Sequence, residues 1–380
     1  MKFIHLSDLH IGKSVNNFSM LPSQVFVFAQ IIEYVKTCPV DAILLSGDIY
    51  DSSIPSGEAV KVFDNFLTDL TAATSAKILI ISGNHDSPDR LSFASRLLEN
   101  KGIYVYATFD GSMKKITLED QHGPVDFWLL PFIKPSTARN LLPKTQDPDS
   151  YSQIIAQAIQ QTPIDPTTRN VLLSHQYYSG SGQEAQRSES ELDPIGGLDA
   201  VDVEIIQHFD YVALGHLHAG QRVKYDHIRY SGSPIKYSLS EINHHKSIPL
   251  ITMEAKGQPL HIDYLPITPH MDMRELKGNL ADLLNLPPSE DYLRIILTDE
   301  IDQIDPMGKL SNIYPNIMYL GFENSKTQAA AGFNIEKLPD IKEVSTMDLF
   351  SEFFLQAHKS AMTAAQQQIV MELLEGADPT

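Results

Sequence analysis

Short aliphatic runs that stop abruptly at glycine and polar side chains set the rhythm of this chain. The clearest is Ile78-Leu79-Ile80-Ile81, which ends at Ser82-Gly83 and then presents Asn84, His85 and Asp86 in succession. Such a run, bounded by a turn residue, predicts a short, fully buried strand. The pattern also opens the chain, where residues 2–7 lead into Asp8-Leu9-His10, and returns where residues 41–46 lead into Gly47-Asp48-Ile49-Tyr50-Asp51. Asp8 and His10 stand two apart and would share a side of an extended segment. Between the runs, apolar residues recur at helical spacing: Val25, Phe28, Ile31, Ile32 and Val35 over 24–36, then Val62, Phe63, Phe66, Leu67 and Leu70 over 58–70. A third helix is predicted over 88–100, with Pro88 suited to its first turn. Successive strand–helix units imply a mostly parallel sheet with right-handed crossovers. Ligands of open α/β sheets bind at the carboxyl ends of the strands, where these polar residues fall.

Residues 103–130 read as shorter strands with turns at Asp110-Gly111 and His122-Gly123-Pro124. Residues 132–170 are rich in Pro, Thr and Gln and are expected to loop over the surface, with one helix near 151–160. Buried strands resume at Val171-Leu172-Leu173-Ser174-His175 and at Tyr211-Val212-Ala213-Leu214-Gly215-His216-Leu217-His218. Between them, residues 179–197 hold almost no large apolar side chain. They predict a long exposed loop which, starting close after His175, is expected to cover substrate. Strands continue to about residue 265, with Gly232-Ser233-Pro234 as a turn.

Pro266 and Pro269 mark a boundary, giving a main domain over 1–267. Beyond it, a helix over 276–284, a strand over 292–297, a helix over 304–313 and a strand over 317–320 predict a small α+β domain at 268–325. A polar linker (326–345) and a helical tail (346–380) follow. The tail carries Met347, Phe350, Phe353 and Phe354, then Met362, Ile369, Met371, Leu373 and Leu374.

Composition narrows the setting. With 380 residues at 42% hydrophobic, a sizeable core can be buried. The single cysteine, Cys38, excludes an internal disulfide framework and a thiolate-built zinc site, and suits a reducing compartment. Neither a signal-peptide core nor an apolar run of membrane-spanning length is seen, so a cytoplasmic protein without membrane contact is expected. Twenty-nine basic against 48 acidic residues leave a net charge of −19, which argues against a stand-alone nucleic-acid binder. Bound cations or a basic partner would offset that charge.

The strand ends together collect Asp8, His10, Asp48, Asn84, His175, His216 and His218. Any one of these histidines alone reads best as an ordinary core or surface residue. Gathered at the ends of apolar strands they read as a metal site. Imidazole with carboxylate and no sulfur suits Mn²⁺, Fe²⁺ or Zn²⁺. The set is too large for one ion and fits two ions sharing a bridging carboxylate, a pair that can clamp a phosphoryl group and activate water.

Asp8-x-His10, Gly47-Asp48-x-x-Asp51, Gly83-Asn84-His85-Asp86, His175 and Gly215-His216-x-His218 occur in the order typical of the calcineurin-like metallophosphoesterase superfamily, which the chain resembles. Within it, His5-Leu6-Ser7-Asp8-Leu9-His10-Ile11-Gly12 and Tyr230-Ser231-Gly232-Ser233-Pro234 resemble bacterial nuclease subunits that act with an ABC-type coiled-coil ATPase. The resemblance implies a β-sandwich flanked by helices, a capping domain over the site and a tail that docks on the ATPase. It implies two Mn²⁺, one held by Asp8, His10, Asp48 and His218, the other by Asp48, Asn84, His175 and His216. His85 would assist the leaving oxygen, and the Asp51 carboxylate would orient His85. Asp86 and Arg90 read equally as support for the site or as a helix cap and surface charge. The activity implied is a Mn²⁺-dependent DNA exonuclease and endonuclease, dimeric within a larger assembly. Two rivals remain: a phosphatase or phosphodiesterase for small phosphoesters, which the acidic charge favours, and a catalytically silent adaptor, which the complete ligand set disfavours.

Overall fold

The computed structural model describes residues 1–134, 141, 150–180, 188, 191, 200–325, 327, 347, 350–351, 354–355 and 361–375. All of the linker expected over 326–345 except residue 327, most of the loop expected over 179–197, much of the 132–170 loop and Phe353 of the tail lie outside the described residues. The chain divides into two compact units, Met1–Met273 and Arg274–Thr380.

The first unit opens with β1 (Lys2–Leu6), α1 (Leu21–Thr37), β2 (Ala42–Ser46), α2 (Gly57–Ala73), β3 (Lys77–Ile81) and β4 (Ile103–Tyr106). It continues with β5 (Lys114–Asp120), β6 (Gly123–Leu130), α3 (Tyr151–Gln160), β7 (Arg169–Ser174) and β8 (Tyr211–Leu214). It closes with β9 (Gln221–Val223), β10 (Tyr225–Tyr230), β11 (Ser247–Thr252) and β12 (His261–Pro266). These strands form two six-stranded sheets, ordered β12-β11-β1-β2-β3-β4 and β9-β10-β8-β7-β6-β5. In the first, β1, β2, β3 and β4 are parallel, and β11 and β12 return antiparallel at one edge. In the second, β10, β8, β7 and β6 are parallel, with β9 and β5 antiparallel at the two edges.

Alternation along the strands builds the sandwich. Phe3, Leu44, Leu79 and Ile81 of the first sheet meet Phe127, Leu129, Val171, Leu173 and Tyr211 of the second in one buried core. Phe3 packs edge-on against Phe127 and Tyr211, with ring centroids 5.7 and 5.6 Å apart. The intervening residues of the central strands are buried as well, so those strands read as continuous apolar runs. On the second sheet's outer face, Trp128, Leu172 and Val212 pack with Ile154, Ile155 and Ile159 of α3. The crossover helices α1 and α2 stack Phe28 on Phe66 at 4.4 Å. His5 stitches the sheets, facing the Tyr211 hydroxyl at 3.0 Å and the Leu214 carbonyl at 3.1 Å. Burial lowers its pKa to about 3, so the ring is neutral.

Two expectations change. The helix predicted over 88–100 is two short turns, Pro88–Leu91 and Ser95–Leu98, followed by a 3₁₀ turn, Glu99–Lys101. Ala94 breaks it in a left-handed conformation (φ 59°), and Phe93 and Leu97 are 82% and 72% exposed. A helix of that length needs a buried face for its stability, and this one lacks it. The helix predicted over 276–284 is a strand, Met273–Gly278, and then a helix, Leu280–Leu284. Asn279 sets the start, since its side chain accepts from the Asp282 N–H as an N-cap. The second compact unit begins at Arg274. Residues 267–273 remain tied to the first unit by Gln30 bonds to Thr268 and by Lys236 bonds to Asp272 and the Met273 carbonyl.

In the second unit, strands β13 (Met273–Gly278), β14 (Tyr292–Leu297) and β15 (Ile317–Phe322) form a three-stranded sheet in that order, with β14 and β15 parallel. Helices α4 (Leu280–Leu284) and α5 (Pro306–Ser311) complete a core of Leu280, Leu283, Leu293, Ile295, Leu310 and Tyr314. Helix α6 (Ala364–Glu375) leaves Ile369, Met371 and Leu373 exposed. No helix among the described residues is long and apolar enough to cross a membrane.

Candidate metal centre

Each candidate ligand follows the carboxyl end of a parallel strand. Asp8 and His10 follow β1, Asp48 follows β2, Asn84 follows β3, His175 follows β7, and His216 and His218 follow β8. The backbone there is turned rather than extended: Asp8, His10, Asp48 and His216 have φ of 53°, 42°, 50° and 110°. The shared side expected for Asp8 and His10 therefore comes from consecutive left-handed turns. Such conformations cost about 1–3 kcal/mol each and persist only where neighbours over-determine them. Here the Asp8, His10 and Ile11 N–H groups donate to the Gly47, Asp48 and Ile49 carbonyls at 3.0, 3.0 and 2.9 Å. Gln24 adds its side-chain amide, donating to the Leu9 and His10 carbonyls at 3.1 and 2.8 Å.

Close approach dictates two glycines. A Cβ on Gly83 would lie 2.1 Å from Asp48 Oδ1, and one on Gly215 would lie 2.0 Å from the Ser46 carbonyl. The two sheet ends meet with no room for a methyl group.

All seven candidate ligands lie close together. His10 Nε2 lies 3.1 Å from His218 Nε2 and 3.5 Å from Asp48 Oδ2. His175 Nε2 lies 3.3 Å from Asp48 Oδ2 and 3.1 Å from Asn84 Oδ1, which also sits 3.1 Å from His216 Nδ1. Asp8 takes the His216 N–H at 3.0 Å, and its donor atom groups with those of His10 and His218 within 4.8 Å. Asp8, Asp48 and His175 form a second such group.

The outward nitrogens face oxygens. His175 Nδ1 donates to the Ser46 carbonyl at 2.7 Å. His218 Nδ1 faces Glu241 Oε1, and His10 Nδ1 faces Asp51 Oδ1, both at 3.3 Å. His10, His175 and His218 all turn Nε2 inward, among oxygens that carry lone pairs. Acceptors facing acceptors repel unless protons or cations lie between them. Nitrogen with carboxylate and amide oxygen and no sulfur fits divalent cations of the Mn²⁺, Fe²⁺ or Zn²⁺ type. The electrostatics point the same way. Burial opposes charge on His175, but Asp48 outweighs it and lifts the imidazole to about 9. Burial likewise raises Asp48, but His175 and His10 hold it well below the usual carboxylate range.

His85 stands at the rim, half-buried. Its N–H donates to Asp48 Oδ1 at 2.9 Å, and its Nδ1 donates to the backbone carbonyl of Asp51 at 2.8 Å. The Asp51 carboxylate, expected to orient His85, instead bonds Lys13 at 2.8 Å and faces His10. Burial tends to raise Asp51, but His10 and Lys13 bring it to about 2. Asp86 supports the site and caps no helix: it accepts the Gly83, Ile49 and Tyr50 N–H groups at 2.9, 3.1 and 2.9 Å, pinning the Asp48 turn to the Asn84 turn. Burial and the Asp48 charge raise its pKa to about 6. Arg90 is exposed.

Sequence reasoning missed Gln24, Glu241, Lys246 and Glu191, whose carboxylate takes the His218 N–H at 2.6 Å. For Gln24 a signal existed. It sits four residues before Phe28, an amide on the apolar stripe of α1. Glu241 and Lys246 lie in a polar stretch that looks like surface.

A mixed-sheet sandwich with imidazoles and carboxylates at the strand ends defines a metal-dependent phosphoesterase. The family model for calcineurin-like phosphoesterase matches residues 1–220, and that for the type 5 capsule protein repressor C-terminal domain matches residues 269–358. The SbcD subunit of nuclease SbcCD from Staphylococcus epidermidis is 29% identical over 98% of both chains. Its namesake from Staphylococcus saprophyticus is 30% identical over 90% of both. A solved dimetal phosphatase from Danio rerio aligns over 70% of this chain and 98% of its own, at 13% identity and a TM-score of 0.41. The chain belongs to the calcineurin-like phosphoesterase family, in its SbcD branch, and is a metal-dependent phosphodiesterase of the nuclease class.

Proposed function

We propose that this chain is the DNA-cleaving component of an SbcCD-type complex. In this reading it is a cytoplasmic, Mn²⁺-dependent phosphodiesterase that trims duplex ends and opens single strands and hairpins during replication, recombination and repair. It works as a homodimer with an ABC-type coiled-coil ATPase. The observation that carries the reading is the convergence of His10 and His175 Nε2 on Asp48 Oδ2, with Asn84 Oδ1 beside His175 and His218 Nε2 beside His10. Likeness to the SbcD proteins over nearly the whole chain supports the substrate.

Asp8, His10, Asp48 and His218 would hold one cation, and Asp48, Asn84, His175 and His216 the other, with Asp48 shared. When bound, two such cations supply Lewis acidity to phosphoryl oxygens and make water nucleophilic at neutral pH. His85 does the proton work. Its Nδ1–H is committed to the Asp51 carbonyl, which leaves Nε2 to deliver a proton to the departing 3′- or 5′-oxygen. A positioned histidine in that role is worth roughly 10²–10⁴ in rate. Asp51, tethered by Lys13, stands behind His10 with its carboxylate 3.3 Å from Nδ1.

Residues 268–325 serve as a cap that limits which DNA shapes reach the site, and the tail beyond 346 docks on the ATPase. The net charge of −19 then has a place, because the partner contributes basic surface for the phosphate backbone. The test is cleavage of end-labelled duplex and hairpin DNA with Mn²⁺, with and without the ATPase, beside p-nitrophenyl phosphate. DNA cleavage that the ATPase stimulates is expected, with complex formation lost on removing 346–380. Turnover of the small ester alone would replace the nuclease with a phosphatase, the reading that acidic charge favours.

A further inference from the structure

The inward-facing imidazoles differ in what stands behind them. His175 leans on a backbone carbonyl, and His10 on Asp51, whose side chain is 29% exposed. His218 leans on Glu241, which is completely buried. Glu241 ends a short 3₁₀ turn, Leu239–Glu241, that Ser238 caps through its side chain. Its other oxygen takes Lys246 Nζ at 2.6 Å. Lys246 also donates to the His218 carbonyl at 2.8 Å and to Ser233 Oγ at 2.9 Å. The ammonium has three protons and these contacts use three, so Lys246 neutralises Glu241 and has no proton to offer a substrate. His218 is thus gripped twice, by its ring through Glu241 and by its carbonyl through Lys246.

A buried ion pair is costly to desolvate, and an apolar pair of the same volume would serve packing as well. What an apolar pair cannot do is accept the Nδ1–H of His218. We infer that Glu241, anchored by Lys246, is a positioning residue that locks His218 with its proton on Nδ1, and so sets the cation affinity of the half-site formed by Asp8, His10, Asp48 and His218. The inference rests on the two-cation reading above and adds that one half-site depends on a carboxylate that touches neither cation nor substrate. Outer partners of this kind are typically worth about 10–100-fold in metal affinity.

The test is Mn²⁺ binding to the full chain, followed by calorimetry and by electron paramagnetic resonance. Wild-type protein should take two equivalents and show the signal of an exchange-coupled pair. Glu241→Gln keeps an acceptor for Nδ1–H but loses the charge, and should weaken one equivalent about tenfold. Glu241→Ala removes the acceptor and should weaken it about 100-fold, replacing the coupled signal with that of isolated Mn²⁺. Both variants must leave the other equivalent near its wild-type affinity. Wild-type binding of both equivalents by Glu241→Gln overturns the proposal, and this variant suffices if the alanine variant does not fold. A lower melting temperature with both equivalents intact marks Glu241 as merely structural and overturns it too. A wild-type chain that binds fewer than two Mn²⁺ defeats the two-cation reading itself.

Discussion

The two six-stranded sheets share a plan and deliver different chemistry. Each has parallel strands at its centre and antiparallel strands at an edge. The ends of the first carry Asp8, Asp48 and Asn84 with His10, and the ends of the second carry His175, His216 and His218 with no carboxylate. Negative charge therefore comes from one sheet and most of the imidazole nitrogen from the other. Neither sheet alone surrounds a cation. The centre exists because the apolar layer holding Phe3, Leu44, Phe127 and Leu173 presses the two rims together, close enough that Gly215 has no room for a methyl group.

The sharpest way to break this division is to remove the charge at the seam. Asp48→Ala takes away the oxygen that faces His10 and His175, and cleavage should fall by more than about 10³-fold, beyond the 10–100-fold of an outer partner. Mn²⁺ stoichiometry measured alongside should drop. A loss of rate from His85→Gln with cation stoichiometry unchanged would separate ligand from proton donor. The expected loss there is roughly 10²–10⁴ in kcat at fixed Mn²⁺. Gly215→Ala adds a methyl group where the second rim meets the Ser46 carbonyl and Ser7. A destabilisation of about 1–3 kcal/mol is expected from overpacking, read by denaturant melts, with weaker Mn²⁺ binding. Gly57→Ala, which meets nothing within 4 Å, should change neither quantity.

The smallest effect concerns His5, the stitch between the sheets. Its pKa in the fold, about 3, lies below the ordinary value of 6.5 because burial disfavours the charged ring. An unfolded chain takes up a proton there that the folded chain refuses, so the stability His5 contributes is present above pH 6.5 and is lost as pH falls toward 3. His5→Gln should flatten the decline in melting temperature over that window. An unchanged slope would assign the acid sensitivity to other groups.

Much of this was legible along the chain because burial leaves a local signature. Strands covered on both faces read as unbroken aliphatic runs, and α1, α2 and α3 declare themselves by their spacing. A polar residue at the end of such a run stands out, which is why the candidate ligands from Asp8 to His218 can be picked out from order and spacing. The helix over 88–100 misled because periodicity records which residues are apolar, not whether a neighbour covers them. Phe93 and Leu97 have the spacing and no cover.

What the amino-acid order determined by itself was most of the elements and the candidate ligand residues at their ends, since both depend on neighbours a few positions away. Tertiary structure alone decided which atoms face which. The Asp51 carbonyl rather than its carboxylate holds His85, and left-handed turns rather than an extended segment aim Asp8 and His10. Asp86 pins one turn to another 37 residues away, and His5 reaches the Leu214 carbonyl across 209. Those choices belong to packing, because a hydrogen bond is fixed by distance and direction in space, and chain order fixes neither once the partners lie on different strands.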